Sequence, residues 1–431
     1  MSEVLVVGAG ISGLTAAWRL RCAGISTCVL ERSDRPGGRM CSVQVNECIM
    51  EAGANFITDA YRIIPGLAGE MGIPLQAVCR DSAIAIDEAI RAFRADRPAT
   101  AIKAGILSLR TVIGGLPGLA RFAARYRRRG TVDPLDWLDL DPVPTTEWSQ
   151  ALRIATLAER CWRPAYHGFY FQDTHATSAA AVAAMAQHGL RQQTLTMPGG
   201  LSSLTDALAA RLDVRTGVKV TQVEEGSTSV TVHTDTGRFR ADRVIVALPS
   251  PDIRHLKKLD PLEAAVACTP YSAGLLVGLG TRRRLRSCEL GGAYGVLMHP
   301  DEPPLAALCV ASRAGHAHGA GDLVTCMFAD RHARELSSRA DSEIIELARR
   351  ALLTWEPTLQ DALATSPENH LVVRIPHAMP TSAPGRIAHI KAYRAHAHAR
   401  RVILAGDSLA WPWADSAAFT GQWAADLIAQ P

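Results

Sequence analysis

The stretch that decides the fold is "VLVVGAGISGLTAAWRLRCAGISTCVLER", residues 4–32. Its order of apolar run, glycine turn, amphipathic run and second apolar run predicts a strand, a turn, a helix and a strand, as in a dinucleotide-binding βαβ unit. In the turn, Gly8 permits the tight bend, Gly10 lets the backbone approach a pyrophosphate, and Gly13 lets the helix pack against the strand. Glu31 ends the second strand 18 residues after Gly13, where an acidic side chain binds the ribose hydroxyls of an adenosine.

The start of the predicted helix is a natural site for an anion. Backbone N–H groups at Ile11 and Ser12 have no earlier helical turn to bond to, so they are expected to face the pyrophosphate. Arg32 follows Glu31 directly and is expected beside the same site. Glu31 would repel a 2′-phosphate, which disfavours NADP.

Two further segments extend this pattern. "DRPGGRMCSV", residues 34–43, places Gly37, Gly38 and Arg39 just after the acidic residue, although an exposed loop with a solvated arginine is the alternative. Near the C-terminus, "RVILAGDSLAWPWADSAAFTGQWAADLI", residues 401–428, predicts a buried strand, a loop and a helix.

Together these segments resemble the flavin-containing amine oxidoreductase superfamily, which includes amine oxidases, protoporphyrinogen oxidases and carotenoid- or squalene-type desaturases. The resemblance implies that the G-G-R turn contacts the diphosphate of FAD. It also implies that the backbone of "EAGANFI", residues 51–57 with Ala54 and Asn55 at its centre, passes close to the flavin ring, and that Val220 reaches the adenine.

The C-terminal stretch is similar to the family's A-G-D strand end and to its E-G-A-x-x-S-G helix start, with Asp415 for Glu and Ser416 for Gly. The resemblance implies that Asp407 accepts hydrogen bonds near the diphosphate and that the last helix points its N–H groups at the flavin, where negative charge develops on reduction. The candidate cofactor-binding residues are Gly8, Gly10, Ile11, Ser12, Gly13, Glu31, Arg32, Gly37, Gly38, Arg39, Ala54, Asn55, Val220, Gly406, Asp407 and Ala417.

The predicted fold class is α/β, a Rossmann-like FAD-binding domain with an interleaved, mixed α+β substrate domain. The order of these segments matches the family's, and the resemblance implies that residues 1–75, 195–250 and 370–431 build the FAD-binding domain. Residues 76–194 and 251–369 would then form the substrate-binding domain.

Four side chains are candidates for the wall of the substrate pocket. The resemblance places the loop of Trp411 and Trp413 beside the flavin face, while packing between the two lobes is the equal alternative. Tyr166 and His167 lie in "CWRPAYHGFYFQDTHATSAAAVAAM", residues 161–185, similar to a segment of protoporphyrinogen oxidase-like members. The alternative there is an aromatic core patch.

Composition excludes several classes of protein. A net charge of +4 and the lack of zinc-finger or RNA-binding motifs argue against a nucleic-acid partner. The ten cysteines form no C-x-x-C pair, which favours reduced thiols in a cytoplasm. No basic leader with a cleavage site precedes residue 3, and no apolar run approaches the roughly 18 residues of a membrane span.

Two histidine pairs, His316 with His318 and His396 with His398, have a spacing of two but no acidic or cysteine partner at ligand spacing. We therefore predict solvated imidazoles and no metal site.

Flavin chemistry in this superfamily is the removal of a hydride from a C–H bond to N5, with the protein supplying orientation and electrostatics. Amine oxidases of the family usually place a lysine near N5, but the corresponding region here reads Leu275-Leu276-Val277. No cysteine lies between residues 327 and 431, so FAD is expected to bind without a covalent thioether.

The resemblance therefore implies oxidation of a largely apolar small molecule to a C=C or C=N bond, as in desaturases or protoporphyrinogen oxidases, with oxygen or another electron acceptor. The alternatives are an amine or amino-acid oxidase that releases hydrogen peroxide, and a catalytically silent flavoprotein that acts as a binding partner. No individual catalytic side chain and no oligomeric state is predicted.

Residues 102–130, "IKAGILSLRTVIGGLPGLARFAARYRRRG", are apolar with basic residues at their end. They predict helices that line or cover the substrate lobe, with peripheral contact to a membrane surface as the alternative.

Overall fold

The computed structural model describes residues 3–94, 96–97, 99–189 and 193–429, without the side chains of residues 188 and 189. In these ranges the strands are, in chain order, β1 Val4–Val7, β2 Thr27–Leu30, β3 Ser42–Val45, β4 Cys48–Glu51, β5 Ile57–Thr58, β6 Gln76–Ala77, β7 Ser82–Ile86, β8 Ala89–Phe93, β9 Thr194–Thr196, β10 Asp213–Arg215, β11 Val220–Glu225, β12 Val230–Thr234, β13 Gly237–Ala241, β14 Arg243–Val246, β15 Tyr271–Thr281, β16 Gly295–Met298, β17 Leu305–Val310, β18 Asp322–Phe328, β19 His370–Pro380 and β20 Val402–Leu404.

The α-helices of the same ranges are α1 Ile11–Cys22, α2 Ile63–Met71, α3 Ala99–Lys103, α4 Leu109–Tyr126, α5 Thr145–Ala151, α6 Ala155–Leu157, α7 Arg163–Tyr170, α8 Ala179–Gly189, α9 Ser202–Ala209, α10 Ser250–Ile253, α11 Pro261–Ala267, α12 Asp330–Leu336, α13 Asp341–Trp355, α14 Arg386–Ala395 and α15 Ala414–Ala429. No helix in these ranges combines the length and the apolar character needed to cross a bilayer.

A parallel sheet with the strand order β10-β2-β1-β14-β20 forms the centre of one half of the molecule. Its inner strands are almost wholly apolar because both faces are covered. On one face, Val6, Val29 and Ile245 belong to a core that includes residues of α1, α2, α9 and α15. On the other, Leu5 and Val246 pack with residues of β11–β13 and α14. The predicted α/β fold with a βαβ start is confirmed.

The second sheet is mixed and has the strand order β19-β15-β18-β17-β16-β7-β8. Its central strand β15 is buried along its whole length, between the antiparallel strands β18 and β19. The parallel sheet draws strands from all three segments assigned to the FAD-binding domain, whereas β19, inside the third of them, pairs with β15 instead. The domain boundaries stay a prediction, and this pairing favours a boundary after Pro380.

The last helix packs tightly on the first. A Cβ atom at Gly421 of α15 would lie 2.0 Å from the carbonyl oxygen of Ser12 in α1, so only glycine fits at the contact. The Oγ atom of Ser12 is also 3.2 Å from Oγ1 of Thr420. The two ends of the chain therefore build one side of the fold together.

One of the predicted solvated histidines is instead buried. His316 is only 2% exposed, and its Nε2 atom lies 3.0 Å from the carbonyl oxygen of Met197 and 3.2 Å from Oγ1 of Thr196. The reason is that backbone pairing of this turn with β4, through Ile49 N–H to His316 C=O, draws the ring inward. His318, His396 and His398 are exposed, as predicted.

Residues 102–130 form the end of α3 and the helix α4. The inner face of α4 packs Phe122 against Trp148, with ring centroids 5.8 Å apart, and Tyr126 against Trp137 at 5.4 Å. The helix thus covers an aromatic core, and its place in a substrate-binding domain stays a prediction. Its outer face is exposed.

Candidate active site

A cavity of about 1000 Å³ is lined by both the β1–α1 turn and β19. Most of the predicted cofactor residues line it, although they come from five separate parts of the sequence. These lining residues are Gly8, Gly10, Ile11, Ser12, Glu31, Arg32, Gly37, Gly38, Arg39, Ala54, Val220, Gly406, Asp407 and Ala417.

The glycine turn leaves room for a ligand where the sequence predicted a pyrophosphate. Gly8 has a φ of 101°, and a Cβ there would lie 2.7 Å from the carbonyl oxygen of Ala247. A Cβ at Gly10 would meet no protein atom within 4 Å, so the cavity itself occupies that space. No side chain caps α1, which leaves the first N–H groups of the helix available to an anion.

The lining residue Glu31 is fixed by two backbone N–H groups. Its Oε2 atom accepts a hydrogen bond from the Ala9 N–H at 2.8 Å, and its Oε1 atom accepts one from the Ser33 N–H at 2.9 Å. Each carboxylate oxygen has further lone pairs. The side chain is therefore fixed in place while it can still accept bonds from ribose hydroxyls.

Arg39 and Asp407 form an ion pair at the middle of the cavity. The Nη1 atom of Arg39 is 2.6 Å from Oδ2 of Asp407 and 2.7 Å from the carbonyl oxygen of Ala378 in β19. The hydroxyl of Tyr271 donates to Oδ1 of Asp407 at 2.6 Å. Although its burial acts to lower it, the pKa of Arg39 lies above its usual range because Asp407 favours the charged form. This pair links the A-G-D turn to both sheets.

The N-terminus of α15 borders the same cavity, through Ala414 and Ala417. Asp415, in the first turn of α15, accepts hydrogen bonds from the backbone at the start of α2. Its Oδ1 atom accepts the N–H groups of Ile63 and Ile64, both at 2.8 Å, and its Oδ2 atom accepts that of Arg62 at 2.9 Å. Asp415 thus caps α2 and leaves the N–H groups of its own helix to other partners.

Apolar side chains also line the cavity, beside the β19 residues Arg374 and His377. Phe171 and Trp413 line it together with the β19 residues Val373, Ile375 and Met379. Phe171 ends α7 with a φ of 56°, a left-handed conformation that is strained for a large side chain. The turn is fastened by Gln172, whose Nε2 donates to the carbonyl oxygen of Pro380 at 3.0 Å.

Several predicted residues lie behind the cavity wall. Gly13 faces Gly8, because a Cβ there would be 2.0 Å from the carbonyl oxygen of Gly8. Asn55 turns away and donates to the carbonyl oxygen of Gly53 at 2.8 Å. Their roles toward the cofactor stay a prediction.

The four candidate pocket side chains likewise divide into one that lines the cavity and three that do not. Trp413 lines the cavity and stacks on Trp411 with ring centroids 5.3 Å apart, while Trp411 is 1% exposed and belongs to the core. Tyr166 and His167 are buried in α7 outside the lining. Burial lowers the pKa of His167 to about 4, so its ring is neutral. Of the four, the structure brings only Trp413 to the cavity.

Sequence reasoning missed the wall that faces the glycine turn. β19 and Phe171 line this wall and Tyr271 donates to Asp407, but no local motif identifies any of them. The alternation of "LVVRIPHAM", residues 371–379, is typical of a strand but does not indicate which cavity the strand lines.

Glu159, His299 and Asp301 place ligand atoms within 4.8 Å of one another, the spacing that a metal ion requires. Arg163 already binds this group, with its Nη2 atom 3.1 Å from Oδ1 of Asp301 and 2.8 Å from Asp173. A guanidinium among these carboxylates opposes a second cation. Our expectation that the protein binds no metal stays a prediction.

The site therefore combines an uncapped helix N-terminus, a carboxylate directly after β2 and a second glycine turn with a partly apolar wall. This combination defines a dinucleotide-dependent oxidoreductase of the flavoprotein type.

The chain belongs to the flavin-containing amine oxidoreductase family, whose sequence profile matches residues 11–429. Its cofactor is accordingly FAD, and the residues just described fit that group. The resemblance inferred from the sequence motifs is thereby confirmed.

Proteins similar to this chain are named for different substrates. Coproporphyrinogen III oxidase of Mycobacterium leprae is 28% identical over 414 residues, which cover 88% of each chain. A Mycobacterium tuberculosis protein provisionally named a flavin-containing monoamine oxidase, AofH, is 28% identical over 287 residues. That alignment covers 60% of this chain and 59% of the relative.

Solved structures share the fold over the whole chain. Putrescine oxidase superposes with a TM-score of 0.75 at 19% identity, covering 100% of this chain and 99% of the other. A protein from Exiguobacterium sp. 255-15 that was solved as a candidate protoporphyrinogen oxidase gives 0.76 at 16% identity, covering 99% and 98%. These likenesses show the fold and leave the substrate open.

Proposed function

We propose that the protein is an FAD-dependent oxidoreductase that removes a hydride from a largely apolar small molecule and leaves a C=C or C=N bond in the product. Bound FAD supplies the hydride acceptor, at N5 of its ring. The chain supplies the binding of both partners, the orientation of the reacting C–H bond and the exclusion of water.

The observation that carries this proposal is that each carboxylate on the described cavity wall already has a partner. Glu31 is bound by two backbone N–H groups, Asp407 by Arg39 and Tyr271, and Asp252 lies 3.5 Å from Arg32. Each of them thus already has a partner, and the wall that includes the apolar side chains of β19, Phe171 and Trp413 carries no further carboxylate among the described residues. A protonated amine would lose its water there without gaining a counter-ion, and burial of an unpaired charge is costly.

The positions of the lysines support the same conclusion. The chain has lysines at 103, 219, 257, 258 and 391 only. Lys219 is an exposed lining residue next to Val220, and the Nζ atom of Lys257 lies 2.6 Å from Oε1 of Glu263. None is on β15, where amine oxidases of the family usually carry theirs.

Non-covalent binding of FAD and a reducing compartment are parts of the proposal. The described lining residues include no cysteine that could form a thioether. All ten cysteines are free thiols, which supports a cytoplasmic location. Oxygen or another acceptor would reoxidise the flavin.

The test is anaerobic mixing of the holoprotein with candidate substrates while the absorbance of oxidised flavin is followed. Coproporphyrinogen is the first porphyrinogen to try, because the relative named for it aligns over 88% of both chains. We expect an apolar or anionic substrate of this type to bleach the flavin, and putrescine or cyclohexylamine to leave it oxidised.

Rapid bleaching by primary amines, with release of peroxide in air, would favour an amine oxidase instead. If dithionite reduced the flavin but no member of a broad panel did so, a silent flavoprotein would be the better description.

A further inference from the structure

The outer face of α4 is the most exposed apolar surface on the described part of the chain. Leu109, Ile113 and Leu116 are 60%, 57% and 54% exposed, and they are the large hydrophobic side chains that stand out as exposed there. Their spacing of four and three residues places all of them on one side of the helix. Isolated exposed leucines are ordinary, but a row on one helix face marks an interaction surface.

The helix is held rigidly with this face outward. Phe122 and Tyr126 bury the opposite face in the aromatic core. A Cβ atom at Gly118 would lie 1.9 Å from the carbonyl oxygen of Leu152, so the helix backbone sits directly on the loop after α5. Ser108 caps the N-terminus by accepting the Thr111 N–H at 3.0 Å. The exposure is therefore a property of the folded helix and not of a loose end.

Positive charge surrounds the apolar row. Residues 97–132 contain no aspartate or glutamate. Arg110, Arg121, Arg127 and Arg128 are exposed and have no carboxylate partner among the described residues. Arg125 and Arg129 share Asp139.

We propose that α4 docks on the surface of an anionic lipid bilayer, lying in the plane of the interface. Leu109, Ile113 and Leu116 would sink among the headgroups, and the arginines would pair with lipid phosphates. Such a helix combines an apolar face with basic flanks, and both the buried area and the charge contribute to binding.

Charge decides against the most obvious other occupant, a second copy of this chain. A twofold interface places the same patch on both partners. Two α4 helices in contact would bring the same unpaired arginines together, and like charges in an interface oppose association. An anionic bilayer offers the complementary charge.

This inference is independent of the proposed reaction, because α4 contributes no residue to the cavity lining. Its inner side chain Phe122 nevertheless belongs to the same aromatic cluster as Trp413, which does line the cavity. Docking would therefore hold the substrate half of the molecule against the bilayer.

The experiment is co-sedimentation of the holoprotein with vesicles of phosphatidylcholine, with and without phosphatidylglycerol. We expect binding to the anionic vesicles that weakens as salt is raised. The triple variant Leu109→Ser, Ile113→Ser, Leu116→Ser should bind the anionic vesicles at least about tenfold more weakly than the wild type. Its flavin content and melting temperature should match the wild type, since all three side chains are exposed.

A second pair of variants separates local charge from net charge. Arg121→Gln with Arg128→Gln should weaken binding, while the control Arg331→Gln with Arg350→Gln, on α12 and α13, should not. Equal binding by the triple variant, or no binding of the wild type to either vesicle, would overturn the proposal. So would concentration-dependent dimerisation in sedimentation velocity that the triple variant abolishes, since α4 would then be a protein interface.

Discussion

Phe171 combines two properties that rarely occur together in a bulky residue. It lines the cavity, and its backbone is left-handed with a φ of 56°. Such strain persists only where the surroundings enforce it, and it is common at functional sites. Here the fastening of Gln172 to β19 enforces it, which makes Phe171 a candidate for setting the depth of the substrate chamber.

Substitution at Phe171 should reverse the usual order of alanine and glycine. In right-handed helix glycine is the worse residue by roughly 0.5–1 kcal/mol, whereas in the left-handed region alanine carries a penalty of roughly 1–2 kcal/mol. We therefore expect Phe171→Gly to unfold at a higher temperature than Phe171→Ala. At Phe169, inside α7, the order should be the ordinary one. If alanine were the more stable replacement at both positions, the backbone at 171 would not be left-handed.

Glu51 provides a pH dependence with a definite sign. Its Oε2 atom accepts from the Ser42 hydroxyl at 2.6 Å and its Oε1 atom from the Leu201 N–H at 2.9 Å, but burial dominates and raises the pKa from 4.5 to about 7. Between these two values the folded protein binds a proton that the unfolded chain has released. The contribution of Glu51 to the free energy of unfolding therefore falls by roughly 3 kcal/mol as the pH rises from about 4.5 to 7.

Replacement Glu51→Gln removes that titration, while the amide can still accept from Leu201 and donate to Ser42. We expect the variant to be more stable than the wild type at pH 8 and to lose the advantage toward pH 4.5. Urea unfolding of the holoprotein at several pH values would measure this. A wild type whose stability rose over the same interval relative to the variant would show that Glu51 is charged in the folded state.

Among the structural elements, α15 has the most demanding contact. Gly421 lets it touch α1 at Ser12, and the same two helices border the cavity through Ile11 and Ala417. A shift of one helix against the other would therefore also move the cofactor site.

The replacement Gly421→Ala should separate α15 from α1. Inserting a methyl group where no space exists costs about 1–3 kcal/mol, so we expect a lower melting temperature and weaker retention of FAD. The matched control is Gly69→Ala in α2, where the new Cβ meets no atom within 4 Å. That change should stabilise the protein by about 0.5–1 kcal/mol. A variant at 421 that melted like the control would mean that the helices are not in contact there.

The elements that the sequence could predict are those specified by neighbouring residues. β1, α1 and Glu31 follow from one short segment, and β20 and α15 follow from the pattern of residues 401–428. The ion pair of Arg39 with Asp407 joins residues 368 positions apart, so the two were predicted for the site separately but not as partners. Trp413 was predicted for the pocket from its own segment, whereas β19 reaches the cavity only through packing of distant segments, which no local pattern reports.

At the scale of the whole molecule, two sheets share one cavity. The parallel sheet holds the cofactor residues, and the mixed sheet contributes a partly apolar wall through β19. We propose that the binding of a dinucleotide and the recognition of a substrate belong to different halves of the molecule. Relatives in the family can therefore share the first while differing in the second.

The most direct test of the account is the cofactor content of the purified protein and its dependence on Glu31. We predict a yellow protein that releases one FAD per chain on denaturation, with no flavin left attached to the polypeptide. Glu31→Gln should weaken FAD binding by about tenfold or more, because the amide replaces a charged acceptor. Glu346→Gln, at an exposed site on α13, should bind FAD like the wild type. A colourless protein that neither releases nor takes up FAD would contradict the account.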